Sequence, residues 1–232
     1  MIVNALRQLW QEAFDDPDAF TDLFFARGFS LDRYHCIKEN GAPVSALYWF
    51  DCYLEGRKLA YIYGVATLKS HRGKGLSGRL LQETHEILRL KGYAGAILVP
   101  AGEALFAFYR KFGYEAATTS TSFSCDAGDA PVAIREISPE EYARLRSVYL
   151  PEGGVEQGSD TLAFLQGYCR FYAGADFLLA CEISPKGLQA QELLGNAQAA
   201  PGIVRALGCV KGHFRTPGTE KAFAMFRPLR QI

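Results

Sequence analysis

The chain has 232 residues, 49% of them hydrophobic, with 25 basic and 25 acidic side chains and a formal net charge of zero. That length buries a sizeable core in one large or two small domains. The charge balance argues against nucleic acid or an acidic membrane surface as partner. No apolar run is long enough to span a bilayer, and Met1-Ile2-Val3-Asn4-Ala5-Leu6-Arg7 lacks a signal-peptide pattern, so the expected compartment is the cytoplasm. Composition speaks neither for nor against a homo-oligomer.

Leu6, Leu9, Trp10, Ala13 and Phe14 form a helical stripe that ends near Asp15-Asp16-Pro17. Asp16 as N-cap and Pro17 in the first turn predict a second helix that buries Phe20, Leu23 and Phe24 and stops at Gly28. Strands are predicted at Tyr34 to Glu39, Val44 to Leu54 and Leu59 to Thr67. Asn40-Gly41 and Glu55-Gly56-Arg57 supply the turns, so the sheet begins as an antiparallel meander.

The third strand runs into Arg72-Gly73-Lys74-Gly75-Leu76-Ser77-Gly78 and then a helix whose inner face carries Leu76, Leu80, Leu81, Thr84, Ile87 and Leu88. Three glycines in six residues allow positive φ and bare the backbone to a ligand. The first helical turn offers unpaired N–H groups and the positive end of the dipole, and Arg72 and Lys74 add charge, so the loop predicts a site for a phosphorylated cofactor. Gly73, Gly75 and Gly78 also satisfy G-x-G-x-x-G, the dinucleotide pattern. That reading wants an acid at the end of the next strand and parallel strands before the loop. Here the strand Gly95 to Val99 ends in Pro100, the nearest acid is Glu103, and the strands before the loop form a hairpin. No G-x-x-x-x-G-K-S/T occurs.

After the helix from Leu76 to Lys91, a buried strand at Ala96 to Val99 follows a helical crossover and is expected parallel to the strand before the loop. Glu103 to Phe112 then predicts a helix apolar on nearly every side and ended by Gly113.

Arg72, Gly75 and Ser77 fall on Q/R-x-x-G-x-G/A, with Ser in place of the last small residue. Tyr61-Ile62-Tyr63-Gly64-Val65-Ala66-Thr67 precedes this loop, and Leu98-Val99-Pro100 and Phe108-Tyr109-Arg110-Lys111-Phe112-Gly113-Tyr114 follow it. On these residues, over roughly positions 33 to 117, the chain resembles the acetyl-CoA-binding core of the GNAT superfamily of N-acetyltransferases. The resemblance implies a mixed α/β fold of the acyl-CoA N-acyltransferase type and acetyl-CoA as cosubstrate, with no metal. It also implies a diphosphate cradle at Arg72, Gly73, Lys74, Gly75, Leu76, Ser77 and Gly78. The pantetheine arm then lies in a slot where two parallel strands splay, against the backbone of Val65, Ala66 and Thr67.

It further implies transfer of the acetyl group to a primary amine of a small molecule, aminoacyl group or peptide, with Tyr109 protonating the departing thiolate. The helices before the sheet would lie over the acceptor, where Phe20, Phe24, Phe25 and Phe29 either line a pocket or pack the core. Family members that place a glutamate on the strand ahead of the loop use it as base. Here Tyr61 and Tyr63 stand there, leaving Asp51, Glu55 and the terminal carboxylate of Ile232 as candidates, or catalysis by orientation with backbone polarisation near Val65. A noncatalytic acyl-CoA-binding module is the alternative reading.

Beyond about Ser120 the character changes. Ser124 to Pro131 reads as a connector, Val132 to Ile137 as a strand, Ser138-Pro139-Glu140-Glu141 as a helix start and Pro151 to Ser159 as a glycine-rich loop. A helix is predicted over Asp160 to Tyr172, a hairpin over Phe177 to Ile183 and Leu188 to Leu194, a helix over Ala199 to Leu207 and a strand over Ala222 to Phe226. This order echoes the first half without its loop. The expected organisation is a cofactor-binding catalytic domain over 1–128 and a smaller, degenerate GNAT-like domain over 129–232, a tandem pair with one active half. Glu152, Glu156, Asp160 and Glu192 are either acidic recognition groups for a cationic amine or solvated charges.

The six cysteines are scattered, with no C-x-x-C, and read as apolar side chains rather than as a zinc site or disulfide framework. His35, His71, His85 and His213 show no ligand spacing.

Overall fold

A computed structural model describes residues 2–230. The chain forms two compact units. The first takes the residues up to Ala117, together with Gly158–Phe164 and the stretch from Ala224. The second takes Thr118–Gln157 and Leu165–Phe223. In chain order the elements are α1 (Ile2–Phe14), α2 (Asp18–Leu23), β1 (Tyr34–Glu39), β2 (Ala42–Leu54), β3 (Arg57–Thr67), α3 (Leu76–Leu90), β4 (Gly95–Leu98) and α4 (Glu103–Arg110). There follow β5 (Glu115–Asp126), β6 (Arg135–Ile137), α5 (Pro139–Tyr149), β7 (Glu156–Gln157), α6 (Ser159–Leu165), β8 (Arg170–Ala173), β9 (Phe177–Ser184), β10 (Gly187–Gly195), α7 (Ala200–Ala206), β11 (Lys211–Pro217) and β12 (Lys221–Pro228).

In the first unit the strand order is β1-β2-β3-β4-β12. β1, β2 and β3 pair antiparallel through two tight turns in which Asn40 and Gly41, then Glu55 and Gly56, all have positive φ. β3 and β4 pair in parallel across the α3 crossover, and β4 pairs antiparallel with β12. Trp49, Leu80, Leu81, Leu88, Ala96 and Tyr114 pack into one core between sheet and helices. Each large apolar side chain so buried contributes about 1.5–3 kcal/mol.

The second helix departs from its predicted start. Its N-cap is Pro17, without a side-chain hydrogen bond, because the Asp16 carboxylate instead accepts Trp10 Nε1–H at 2.9 Å. After Leu23 the chain widens into one π-helical turn, Phe24–Gly28. Phe24 is fully buried, stacked on Trp10 at 4.3 Å and edge-on to Tyr48, so it belongs to the core.

In the second unit the order is β5-β11-β10-β9-β8-β6. β8, β9 and β10 pair antiparallel, β10 and β11 pair in parallel across α7, and β11 pairs antiparallel with β5. Several strands differ from expectation. β5 lies where no element was expected and runs at its end, from Ser124, into what read as a connector, because its alternation is carried by Ser and Thr. β11 holds only Phe214 as a large apolar residue. The helix predicted through Tyr172 ends at Leu165, and its last residues form β8. The strand predicted at Val132 shortens to Arg135–Ile137.

Beneath this sheet Arg146 makes two bonds to the Glu192 carboxylate, at 2.6 and 2.9 Å, and Tyr142 O–H donates to the same group at 2.7 Å. Arg146 also donates to Val155 O at 2.7 Å. Burial pushes the Glu192 carboxyl up, but the Arg146 charge and the two donors outweigh it, and its pKa lies below the ordinary value. Such a group stabilises the fold above its unfolded pKa, and the contribution is lost as pH falls through the folded one. Glu192→Gln strands a largely buried guanidinium and is expected to cost about 3 kcal/mol in denaturant unfolding at neutral pH. An unchanged midpoint would show that the ion pair contributes nothing net.

All six cysteines are free, with Cys52, Cys169 and Cys181 buried. Among the described residues no group of three or more His, Cys, Asp or Glu side chains is placed to hold a metal ion. No helix among them is long and apolar enough to cross a membrane.

Candidate functional site

The site is built where β3 leaves the sheet. β4 pairs with β3 only from Leu59/Gly95 to Tyr61/Ile97, whereas β3 continues to Thr67. From Ile62 onward one edge of β3 has lost its neighbour. On the other edge β2 stays paired, but Ala46 faces Ala66 while Tyr48 faces Tyr63, so Leu47 is opposed by two residues, Gly64 and Val65. This is a β-bulge, and within it Gly64 takes a positive φ of +60°, a conformation glycine adopts without a Cβ penalty. Leu68 N–H donates to Val44 O at 3.0 Å, which sets the polar groups of Leu68 and Ala66 toward β2 and those of Val65 and Thr67 toward the opening.

Gly64 was not singled out in the sequence, although an isolated glycine inside a strand is the signal for a bulge. A Cβ there would lie 2.5 Å from the Trp10 ring and 3.1 Å from Tyr48. Gly64→Ala therefore combines backbone strain with overpacking, and we expect it to cost about 3 kcal/mol in a denaturation experiment. A wild-type midpoint would mean that the bulge relaxes freely.

Past Thr67 a 3-10 turn, Lys69–His71, is pinned by Glu12 of α1, whose carboxylate accepts Lys69 N–H at 2.6 Å. Arg72 folds back, donating from Nε to Thr67 O at 3.2 Å. Gly73 and Gly75 have φ of +77° and +75°, and a Cβ on either would meet no protein atom within 4 Å. Gly75 is the N-cap of α3, and the first bond of the helical ladder runs from Arg79 N–H to Gly75 O at 3.1 Å. The amides of Leu76, Ser77 and Gly78 lie ahead of that bond, outside the intrahelical ladder. Arg72, Gly73, Lys74 and Gly75 are exposed, Leu76 and Ser77 half-buried, and Gly78 buried. Gly78 also serves packing, since a Cβ there would sit 2.6 Å from the Phe112 ring.

Tyr109 lies on α4, 8% exposed, its ring 5.2 Å from Phe108 and 5.8 Å from Tyr114. Burial pushes its phenol up to about 12. Behind it Tyr114 O–H and His85 Nε2 are 2.9 Å apart, and burial, with the nearby Arg227 charge, lowers His85 to about 4. His85 is thus a neutral core residue. Arg227 of β12 donates to Phe112 O at the end of α4.

The acidic candidates are engaged elsewhere. Asp51 accepts Tyr93 O–H at 2.5 Å and Lys58 Nζ at 2.9 Å, and it pairs with Ala60, before the strands part. Glu55 pairs with Arg57 in the exposed hairpin turn, Asp160 with Arg33, and Glu192 with Arg146. Glu152 and Glu156 are exposed. Ile232 lies outside the described residues. Val65 is half-buried, and Ala66 and Thr67 are buried.

An antiparallel meander, a bulged strand that parts from a parallel neighbour, and a glycine turn into a helix together define a mixed α/β fold of acyltransferase type. Residues 3–117 match the family model of the acetyltransferase (GNAT) domain, and the chain carries a GNAT-family acetyltransferase domain. No curated protein matches it. Among solved structures, a GCN5-related N-acetyltransferase from Kribbella flavida is 20% identical with a TM-score of 0.72, over 98% of this chain and 70% of that one. A GCN5-related N-acetyltransferase from Anabaena variabilis is 14% identical with a TM-score of 0.73, over 98% and 70%. Eis1 from Mycobacterium abscessus is 14% identical with a TM-score of 0.69, over 98% and 71%. At these identities the likeness is one of fold.

Proposed function

We propose that the chain is an acetyl-CoA-dependent N-acetyltransferase that moves the acetyl group to a primary amine by direct attack on the thioester. The observation that carries this is continuity. Val65 and Thr67 present their polar groups on the edge of β3 that β4 leaves, one 3-10 turn separates them from the amides of Gly73 to Gly78, and the two glycine positions open on empty space. A pantetheine arm has the amides to pair with such an edge, and a diphosphate suits the helix N-terminus beyond it. Arg72 and Lys74 supply charge at the loop.

In this reading the Val65 N–H polarises the thioester carbonyl. Tyr109 donates its proton to the departing thiolate, which leaves as the thiol, and the proton shed by the acylated amine nitrogen restores the phenol directly or through water. The amine must arrive uncharged, and no carboxylate of this chain is assigned as its base. Orientation of the two reactants carries the nucleophilic step. The acceptor is a small-molecule, aminoacyl or peptide amine, and the setting is the cytoplasm.

The second half, 129–232, is read as a degenerate GNAT-like domain beside a catalytic domain over 1–128. Strand polarity supports this: β1 to β4 with β12, and β8 to β11 with β5, run through the same sequence of antiparallel, antiparallel, parallel and antiparallel pairings. In each unit the closing strand comes from the other half of the chain order. Ahead of α7, Asn196 Oδ1 accepts Gln198 N–H at 2.9 Å and caps a 3-10 turn, Ala197–Ala199, where the first half has its glycine loop.

Engagement of every acidic candidate among the described residues in an ion pair or at the surface favours a second reading, a noncatalytic acyl-CoA-binding module. Thiol release from acetyl-CoA, measured with a broad panel of amines, separates the two. The enzyme gives turnover above background with at least one amine. Tight CoA binding with none leaves the module.

A further inference from the structure

Thr67, the last residue of β3, sits between two other hydroxyls. Ser45 Oγ on β2 lies 2.8 Å from Thr67 Oγ1, and Ser77 Oγ in the first turn of α3 lies 2.9 Å from it on the other side. Ser45 also reaches Ala66 O at 2.9 Å. A carbonyl only accepts, so the single Ser45 proton goes there. Thr67 must then donate to Ser45, and Ser77 to Thr67. The order is fixed, every hydroxyl proton is used, and it runs from the helix to the sheet.

Ser45 is fully buried and Thr67 is 7% exposed. Removing one member leaves a neighbour with an unmet donor or acceptor in dry surroundings, where such a loss is felt most. The chain also spans the one joint that has to be rigid. A ligand that lies along β3 and reaches the α3 amides needs a fixed distance between them, and Thr67 belongs to the first while Ser77 belongs to the second. Arg72 Nε, on Thr67 O, ties the intervening loop to the same residue.

We propose that Ser45 is a positioning residue for coenzyme A: acting through Thr67, it holds Ser77 and the first turn of α3 against the end of β3. This rests on the reading of the Gly73 to Gly78 amides as the diphosphate cradle. It has a second consequence. The Ser77 proton is committed inward, so Ser77 offers the cofactor its main-chain N–H and no side-chain donor, which is why a residue that departs from Gly or Ala fits here.

The test is a cycle read by calorimetry with CoA on the full chain, well below its unfolding temperature: wild type, Ser45→Ala, Ser77→Ala, the double variant and Ser77→Thr. Each alanine is expected to weaken CoA roughly 5- to 10-fold. Since both cut one chain, the double variant is expected to bind no worse than the weaker single one, and Ser77→Thr, which keeps the hydroxyl, within about twofold of wild type. For Ser45→Ala the loss falls on KM for acetyl-CoA rather than on kcat. The proposal is overturned if Ser45→Ala lowers Tm but leaves CoA affinity within twofold, or if the two losses multiply. No CoA uptake by wild type would instead remove the cofactor reading itself, and this one with it.

Discussion

Gly75→Val is expected to lose CoA binding by a factor of roughly 10² to 10⁴ while the protein stays folded. Gly75 holds φ +75° and ψ 5°, the left-handed region in which a β-branched side chain is strained. The position nonetheless faces no protein atom within 4 Å, so the added isopropyl group meets the ligand and not the core. Relief of the strain would turn the peptide and redirect the amides on either side. Losing two hydrogen bonds to an anion removes about 3–6 kcal/mol, which sets the range.

Gly56 is the matched control. It has φ +72°, equally open surroundings and a place in the distant β2–β3 turn. Gly56→Val carries the same backbone strain, so a comparable fall in Tm with undiminished CoA affinity isolates the cradle from the strain. Calorimetry on both variants decides the matter. Affinity for CoA within tenfold of wild type in Gly75→Val would refute the placement of the diphosphate at these amides.

What could be seen in the sequence was whatever local chemistry dictates. Asn40-Gly41 and Glu55-Gly56 imposed their turns through positive φ, and the α3 stripe imposed its buried face; Leu80, Leu81, Thr84 and Leu88 are all buried. The parallel pairing of β3 and β4 followed from the crossover. β5 was hidden because its residues, Glu115 to Asp126, alternate in Ser and Thr with one large apolar side chain, and its partner β11 lies some 90 positions away by the register of Phe123 with Phe214. The same non-locality hid the cradle's support. Ser45 is one more small polar residue in a hydrophobic strand until the antiparallel register sets it opposite Thr67. Asp16 was read as a cap because capping is local, and the indole of Trp10 competed for it from the preceding helix.

The chemical step has its sharpest probe in Tyr109→Phe. The hydroxyl makes no hydrogen bond among the described residues, and the ring's contacts with Phe108 and Tyr114 survive the substitution. Stability near neutral pH is therefore expected to move by less than about 0.5 kcal/mol, and CoA affinity by less than about twofold. If the phenol protonates the thiolate, kcat falls by roughly 10² to 10³, the scale of general-acid assistance. The pH dependence follows from the raised pKa. Burial holds the proton on Tyr109 up to about 12 against an ordinary 10, so the acid is present throughout the working range and its loss cuts no alkaline limb below about pH 11. In unfolding experiments the sign is the same: the stability that the buried neutral phenol contributes is complete below pH 10 and is lost as pH climbs toward 12, and Tyr109→Phe lacks that slope. A variant that keeps more than about a third of wild-type kcat on the best amine assigns the proton to another donor and returns Tyr109 to the core.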